Sequence, residues 1–328
     1  MYVSTSLALL KEADTRLVCV DVGSAGGFHP RIEAIRSRAD IIGFDANPEE
    51  CARLNAAARA GERHINAVVG RENEKVCLEL HKKRKTSSCY VTDMNRVRHF
   101  HDAERFTKEG TISSTTLSLD SICRSEGLDH IDYLKVDVEG LELSVLQGYT
   151  GPLLLAEAEV NFHPFRKDIP LFDEIMAEMR KRNFFLVDLR RTYWSPIKMR
   201  EIRNYANKGF IMFGDALFAL DPFVEANYAF LETAAARASY LALLCLYGYT
   251  AEALMVVDVL TDAGLMPADE AEKSSGIIRK KGTSRKLKAR LGRPLLFAEK
   301  YVQLPISISS GLFMTDYCQA DGDLGNEY

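Results

Sequence analysis

The chain has 328 residues, 47% apolar and 27% charged, which suits an ordinary folded protein and excludes both a small disulfide-stapled scaffold and disorder throughout. Forty-two Lys and Arg against 46 Asp and Glu give a net charge of −4, so nucleic acid held by counterion release is not an expected partner. Seven cysteines without a CxxC pair, several inside apolar runs, read as reduced, mostly buried thiols of a cytoplasmic protein.

The first ten residues are apolar but lack a preceding Lys or Arg and a cleavage site, so no signal peptide is expected. The longest nearly uncharged stretch, 238–250, is about a dozen residues where a membrane span needs about 20, so no transmembrane helix is expected. Between residues 16 and 222, β-branched runs alternate with helical patterns, which predicts βα units around a mainly parallel sheet. Strands are predicted at 17–22, 40–45, 64–69, 76–80, 132–138, 153–160, 184–189 and 215–220. Seven of them form the principal sheet with the last antiparallel, and 76–80 is an extra edge piece. The fold class is therefore α/β, a Rossmann-like doubly wound sheet with a C-terminal helical appendage.

The first strand runs through Asp21-Val22-Gly23-Ser24-Ala25-Gly26-Gly27 into a helix with Pro30 near its start. That is a ligand-binding strand end or simply a tight strand-to-helix turn. The second strand ends at Asp45-Ala46-Asn47, placing a carboxylate where a ribose offers two hydroxyls. Asn47-Pro48-Glu49-Glu50 then caps a helix that Gly61 closes. A dinucleotide loop would place glycines at Ala25 and Phe28, so a pyrophosphate is poorly served. Asp21 would repel phosphate, yet accepts hydrogen bonds from an ammonium such as that of a methionine moiety.

Farther on, His81-Lys82-Lys83-Arg84-Lys85 reads as a solvated turn or a guide for an anionic substrate. Asp120 is expected to cap a helix ended by Gly127. Lys135, Asp137 and Glu139 alternate, which predicts three charges on one side of an otherwise apolar strand, either a structural Lys–carboxylate cluster or a functional group. Glu142 suits the first turn of the following helix. The fifth strand ends at Glu157-Ala158-Glu159-Val160-Asn161-Phe162-His163, and one of its two glutamates is expected to pair with Lys135. His163 is a candidate general base, against the plainer reading of a loop histidine before a proline. No His, Cys or Asp set has metal-ligand spacing, so no metal is expected.

Residues 1–222 are taken as the first domain, 223–300 as a helical region and 301–328 as a poorly structured tail. The helical region is an αα-hairpin, broken near Tyr247-Gly248 and Gly264, that packs on the first domain or docks a protein. Arg279–Arg293 carries eight Lys and Arg and no acid: a solvated face, a site for an anionic acceptor, or a membrane contact.

Taken in order, the 21–27 loop, Phe44–Glu49, Asn66-Ala67-Val68-Val69-Gly70, Thr86-Ser87-Ser88, Leu119-Asp120 and above all the block from Ile131 through Lys135-Val136-Asp137-Val138-Glu139-Gly140-Leu141-Glu142 to Gly148 resemble the FkbM family of S-adenosylmethionine-dependent methyltransferases. The resemblance spans roughly 16–222. The family commonly shows Glu-Pro where Asp45-Ala46 stands. It implies that Gly23, Ser24 and Gly27 border the methionine part of the cofactor, that Asp45, Ala46 and Asn47 lie at the ribose and Asn66-Ala67 near the adenine, and that Asp137 faces the transferred methyl. The implied reaction is O-methylation of a sugar or secondary metabolite; the small-molecule or glycan acceptor is expected to be selected by loops 86–115 and 161–170, with the C-terminal appendage as a further contributor. A non-catalytic binding or scaffold protein, or an NAD(P)-dependent oxidoreductase, are the alternatives.

Overall fold

The structure is a computed structural model that describes residues 2–197, 209–280, 318–320 and 324. The predicted basic run lies outside the described residues from 281 onward, as does most of the 301–328 tail.

In chain order the elements are α1 (Tyr2–Glu12), β1 (Leu17–Val22), α2 (Pro30–Glu33), β2 (Ala39–Asp45), α3 (Pro48–Ala57), β3 (Glu62–Asn66), β4 (Lys75–His81), α4 (Met94–Val97), β5 (Lys108–Thr115), α5 (Leu119–Glu126), β6 (Ile131–Val136) and α6 (Glu142–Gln147). There follow β7 (Leu153–Asn161), α7 (Phe172–Lys181), β8 (Phe184–Trp194), β9 (Phe210–Leu220), α8 (Ala234–Leu246), α9 (Thr250–Asp262), α10 (Ala268–Arg279) and β10 (Cys318–Ala320). The sheet order is β10-β8-β9-β7-β6-β1-β2-β3. Strands β3, β2, β1, β6 and β7 are parallel, and β9 runs antiparallel between β7 and β8. This is the expected Rossmann-like sheet: strand order reverses between β1 and β6, the position at which such sheets bind ligands.

Three differences from the sequence reading have plain causes. Strand β4 does not edge the main sheet; it pairs antiparallel with β5 in a separate ribbon. The β5 sequence KEGTISST is largely exposed and carries no apolar alternation, so nothing marked it as a strand. The helix after the glycine loop is a single turn, and Phe28 before it turns inward to stack on His64, with ring centroids 4.7 Å apart. From the tail, β10 pairs with Thr192–Trp194 of β8, and Leu324 is buried with its carbonyl accepting from Arg31.

Caps follow local chemistry with two shifts of position. Asn47 accepts from the amides of Glu49 and Glu50 to start α3, which ends at Ala57 because Ala58 is extended, well before Gly61. Ser118, not Asp120, caps α5 through the Ser121 amide; Asp120 instead accepts from the Thr150 amide and hydroxyl at 2.8 Å each.

The C-terminal helices share the core of the sheet. Leu241, Leu243 and Cys245 of α8 belong to the same buried cluster as Leu17, Val20, Leu134 and Leu155. Helix α1 lies along α8, where Ser6 donates to the Ala242 carbonyl at 2.8 Å, and Tyr240 donates to the Leu220 carbonyl at the end of β9. Burying a leucine side chain contributes about 2 kcal/mol, so this face binds α8 firmly to the sheet. A second cluster, Val97, Phe100, Phe106, Phe165, Trp194 and Met212, holds the 93–106 segment over the end of the sheet. Among the described residues no single helix is long and apolar enough to cross a membrane.

Candidate active site

The first part of the site is the glycine loop. Amides of Gly23 and Ser24 donate to the Phe44 carbonyl, and the Asp137 amide donates to the Val22 carbonyl, so β1 is gripped from both sides as it ends. Gly23 sits at φ +96° with no room for a side chain, whereas Gly26 and Gly27, at +91° and +95°, meet only Lys85 Nζ and Leu54 Cδ2 at 3.8 Å. The loop therefore has a closed end and an open end. Glu50 of α3 accepts from the Gly26 amide at 2.9 Å; its hydrogen bond to Arg53, joined by that amide, lowers its pKa to about 2. Ser24 is turned inward, 3.2 Å from His64 Nδ1, so its hydroxyl is engaged with the protein.

At the end of β2, Asp45 accepts from the Asn47 amide at 2.7 Å. Burial raises its pKa, opposed by the Asn47 and Ala25 amides. The Asn66 side-chain amide and the Ala67 backbone amide both donate to the Asp45 carbonyl, which brings these two residues beside it. Ala46 and Asn47 are exposed, and Asn47 uses its side chain as the α3 cap.

The charged centre spans three neighbouring strands. Asp21, Lys135 and Glu157 are in register across β1, β6 and β7. Lys135 Nζ lies 3.1 Å from Asp137 and 3.9 Å from Asp21. Burial opposes the charge on Lys135, but Asp137, Asp21 and Glu157 outweigh it and hold the ammonium above its usual range. Asp21 is buried; desolvation, only partly offset by Lys135, raises its pKa to about 7, and among the described residues its Oδ1 has no hydrogen-bond partner. Asp137 differs from it: 43% of its side chain is exposed. Farther along, Asp215 pairs with Arg190 at 2.6 Å while burial, aided by Glu157, raises its pKa to about 6.

Glu139 departs from the expected alternation. Strand β6 stops at Val136, and Glu139 adopts φ +57°, with its carboxylate paired to the buried Arg166. Arg166 also donates to the Thr86 carbonyl, and Ser88 donates to the Glu139 carbonyl, so the 86–88 segment is tied to this turn. Glu142 accepts from the Val138 and Gly140 amides, closing the same turn, while burial raises its pKa to about 7. Glu159 has a buried Oε2 without a partner, and burial followed by Glu139 and Asp137 raises its pKa well above the carboxylate range.

His163 lies past the end of β7, its amide bonded to the Met212 carbonyl. Its Nδ1 is buried without a partner, and burial together with Arg96 lowers its pKa, which leaves the ring neutral near pH 7. Among the described residues no ion pair or hydrogen bond joins it to Lys135 or Asp137. Sequence reasoning missed Glu50, Arg166 and Tyr247, whose hydroxyl reaches Glu157. The first is a helix residue among many, the second an isolated loop arginine, and the third arrives from 90 residues away. Among the described residues no group of His, Cys, Asp and Glu could hold a metal ion.

The arrangement fits S-adenosylmethionine: an open glycine bend, a carboxylate at the second strand, and two carboxylates, one with a free buried oxygen, near the place for an ammonium and a sulfonium. The family model for the methyltransferase FkbM domain matches residues 21–186. Hexuronic acid methyltransferase AglP of Haloferax volcanii is 29% identical over 145 residues, 44% of this chain and 55% of that protein. The chain thus spans about half the length of this curated relative. Among solved structures, a 1,6-didemethyltoxoflavin-N1-methyltransferase of Burkholderia thailandensis, with bound S-adenosylhomocysteine, aligns at 12% identity and TM-score 0.30, covering 66% of this chain and 76% of that one. A precorrin-6y C5,15-methyltransferase of Geobacter metallireducens aligns at 9% identity and TM-score 0.30, covering 65% and 86%. The match covers half of the chain, which therefore belongs to the FkbM methyltransferase family.

Proposed function

We propose that the enzyme methylates a hydroxyl oxygen of a sugar or of a small metabolite. The observation that carries this reading is the Asp21–Lys135–Asp137 group at the ends of β1 and β6, buried at Asp21 and open at Asp137. The resemblance to a hexuronic acid methyltransferase favours a sugar acceptor.

In this reading Asp45 accepts hydrogen bonds from the ribose hydroxyls, Asn66 and Ala67 border the adenine, and Gly26 and Gly27 leave room for the methionine part. When bound, S-adenosylmethionine supplies an electrophilic methyl on a cationic sulfur. Asp21 receives the ammonium, and Asp137 orients the acceptor hydroxyl toward the methyl. Lys135 holds Asp137 in an ion pair at 3.1 Å and stands 3.9 Å from Asp21, which keeps the two carboxylates in place. His163, neutral near pH 7, takes the hydroxyl proton. Most of the acceleration comes from alignment of donor and acceptor, with the base a smaller contribution.

Calorimetric titration with S-adenosylhomocysteine tests the donor site: wild type binds, and Asp45→Ala loses about 1–3 kcal/mol of affinity because the ribose loses a charged acceptor. Mass spectrometry of reactions with a panel of free sugars, hexuronides and phenolic metabolites tests the acceptor. Methylation confined to nitrogen or carbon atoms would refute the oxygen assignment.

A further inference from the structure

Tyr247, the residue that ends α8, is 2% exposed and donates to Glu157 Oε2 at 2.5 Å. Tyr133 lies 3.1 Å from the same oxygen and 2.9 Å from the Tyr247 hydroxyl. Each phenol has one proton, so the carboxylate is held chiefly by Tyr247, with the Tyr133 proton serving either neighbour. Burial, followed by Glu157, raises the pKa of the Tyr247 phenol well above its usual value, so it stays a donor. On its other side the ring carries the Arg31 guanidinium 4.2 Å from its centroid, and Arg31 belongs to the turn of helix that follows the glycine loop. The tip of α8 therefore touches both the helical turn that follows the loop and the charged centre. The family match ends at residue 186, so this contact comes from outside the matched domain.

Glu157 matters because it stands opposite Lys135 in the ladder, and Lys135 has three carboxylates to serve. We propose that Tyr247 is a positioning residue of the methyl-transfer site: by holding Glu157 it fixes how Lys135 divides its charge between Glu157 and the pair Asp21 and Asp137. The inference rests on the reading of that pair as the seat of the donor's positive charge. It makes the C-terminal helices part of the active site's electrostatics. Without the Tyr247 hydroxyl, Glu157 keeps only the longer Tyr133 contact at 3.1 Å, so it takes more compensation from Lys135 and draws the ammonium off Asp137, which leaves that carboxylate more negative. Without the charge on Glu157, Lys135 turns wholly to the two aspartates, and the site becomes less negative.

The test compares two ligands of one shape. Sinefungin carries an amine where the sulfonium methyl stands, and S-adenosylhomocysteine is neutral at that atom. Calorimetry on the full chain gives the ratio of their affinities for wild type, Tyr247→Phe and Glu157→Gln. Tyr247→Phe should raise the preference for sinefungin by about threefold or more, and Glu157→Gln should lower it by a similar factor. A merely structural role would weaken both ligands together and leave the ratio unchanged, and that result overturns the proposal. Tyr247→Phe keeps the ring beneath Arg31; should it nevertheless fail to fold, an unchanged ratio in Glu157→Gln overturns the proposal just as well. Wild type that binds neither ligand overturns the donor-site reading and this inference with it, whereas wild type that binds both with unaltered variants defeats this inference alone.

Discussion

A side chain on Gly23 would place its first carbon 1.9 Å from the carbonyl oxygen of Asp137, so the first residue past β1 and the first residue past β6 are in backbone contact. The glycine is needed by the protein itself. It lets the ends of β1 and β6 approach one another, and its φ of +96° is one that side chains resist.

Gly23→Ala should therefore lose stability and donor binding together. Gly27→Ala has 3.8 Å of free approach, so it should cost only the backbone strain of about 1–3 kcal/mol. Thermal melts with and without S-adenosylhomocysteine separate the two. A Gly23→Ala protein that melts like wild type would show that the strand ends are not held together by this contact.

Burial makes Asp21 costly to keep charged. Its folded pKa of about 7 lies above the unfolded value of about 3.9, so the folded state binds the proton more tightly. Stability is thus lost as pH rises between those values, and the loss is complete above about 7. Asp21→Asn should be more stable than wild type by a margin that grows from pH 5 to pH 8 in urea titrations, while its affinity for sinefungin falls. A margin that is flat with pH would mean that Asp21 does not carry the penalty.

Glu139 and Asp137 belong to one alternating charged triplet in the sequence, with Asp137 the stronger candidate, and the structure gives them different partners. Removing the charge from Glu139 strands the Arg166 guanidinium, 1% exposed and with Nε and Nη1 already unpartnered. Glu139→Gln should cost about 3–5 kcal/mol of stability. Asp137→Asn, at an exposed position, should leave the melting temperature near wild type and reduce kcat. Equal losses of stability in both variants would contradict this division.

The difference between these two acids shows where sequence reading reaches its limit. The strands β1, β2, β6 and β7 were legible because both faces are buried, so each is a continuous apolar run ending in a polar group at the sheet's edge. Alternation placed Lys135 beside Asp137 correctly, but it assumed a strand that continued. The chain leaves β6 at Val136, and a positive φ at Glu139 re-aims its carboxylate to a loop arginine that no local pattern marks. Tyr247 was hidden for a different reason. Its helix announces only an apolar face, and the hydroxyl at the helix end acquires meaning once the sheet brings Glu157 beneath it.

His163 supplies the last prediction, because two causes lower its pKa and only one can be removed by substitution. Burial is the larger and Arg96 the smaller. A histidine held below its usual range is neutral at pH 7, which suits a base, and as the base it should set an acid limb of kcat below the unperturbed value of about 6.5. Arg96→Gln removes a like charge, so the imidazolium becomes easier to form and the acid limb should move to higher pH. Burial remains, so the limb should not pass the unperturbed value. His163→Ala should cut kcat by roughly 10²–10⁴-fold, abolish that limb, and leave S-adenosylhomocysteine affinity unchanged. An acid limb that persists in His163→Ala, with kcat within about threefold of wild type, would assign the proton to another group. Asp137 would then be the first to test, since its exposed carboxylate lies on the strand end where the acceptor must arrive.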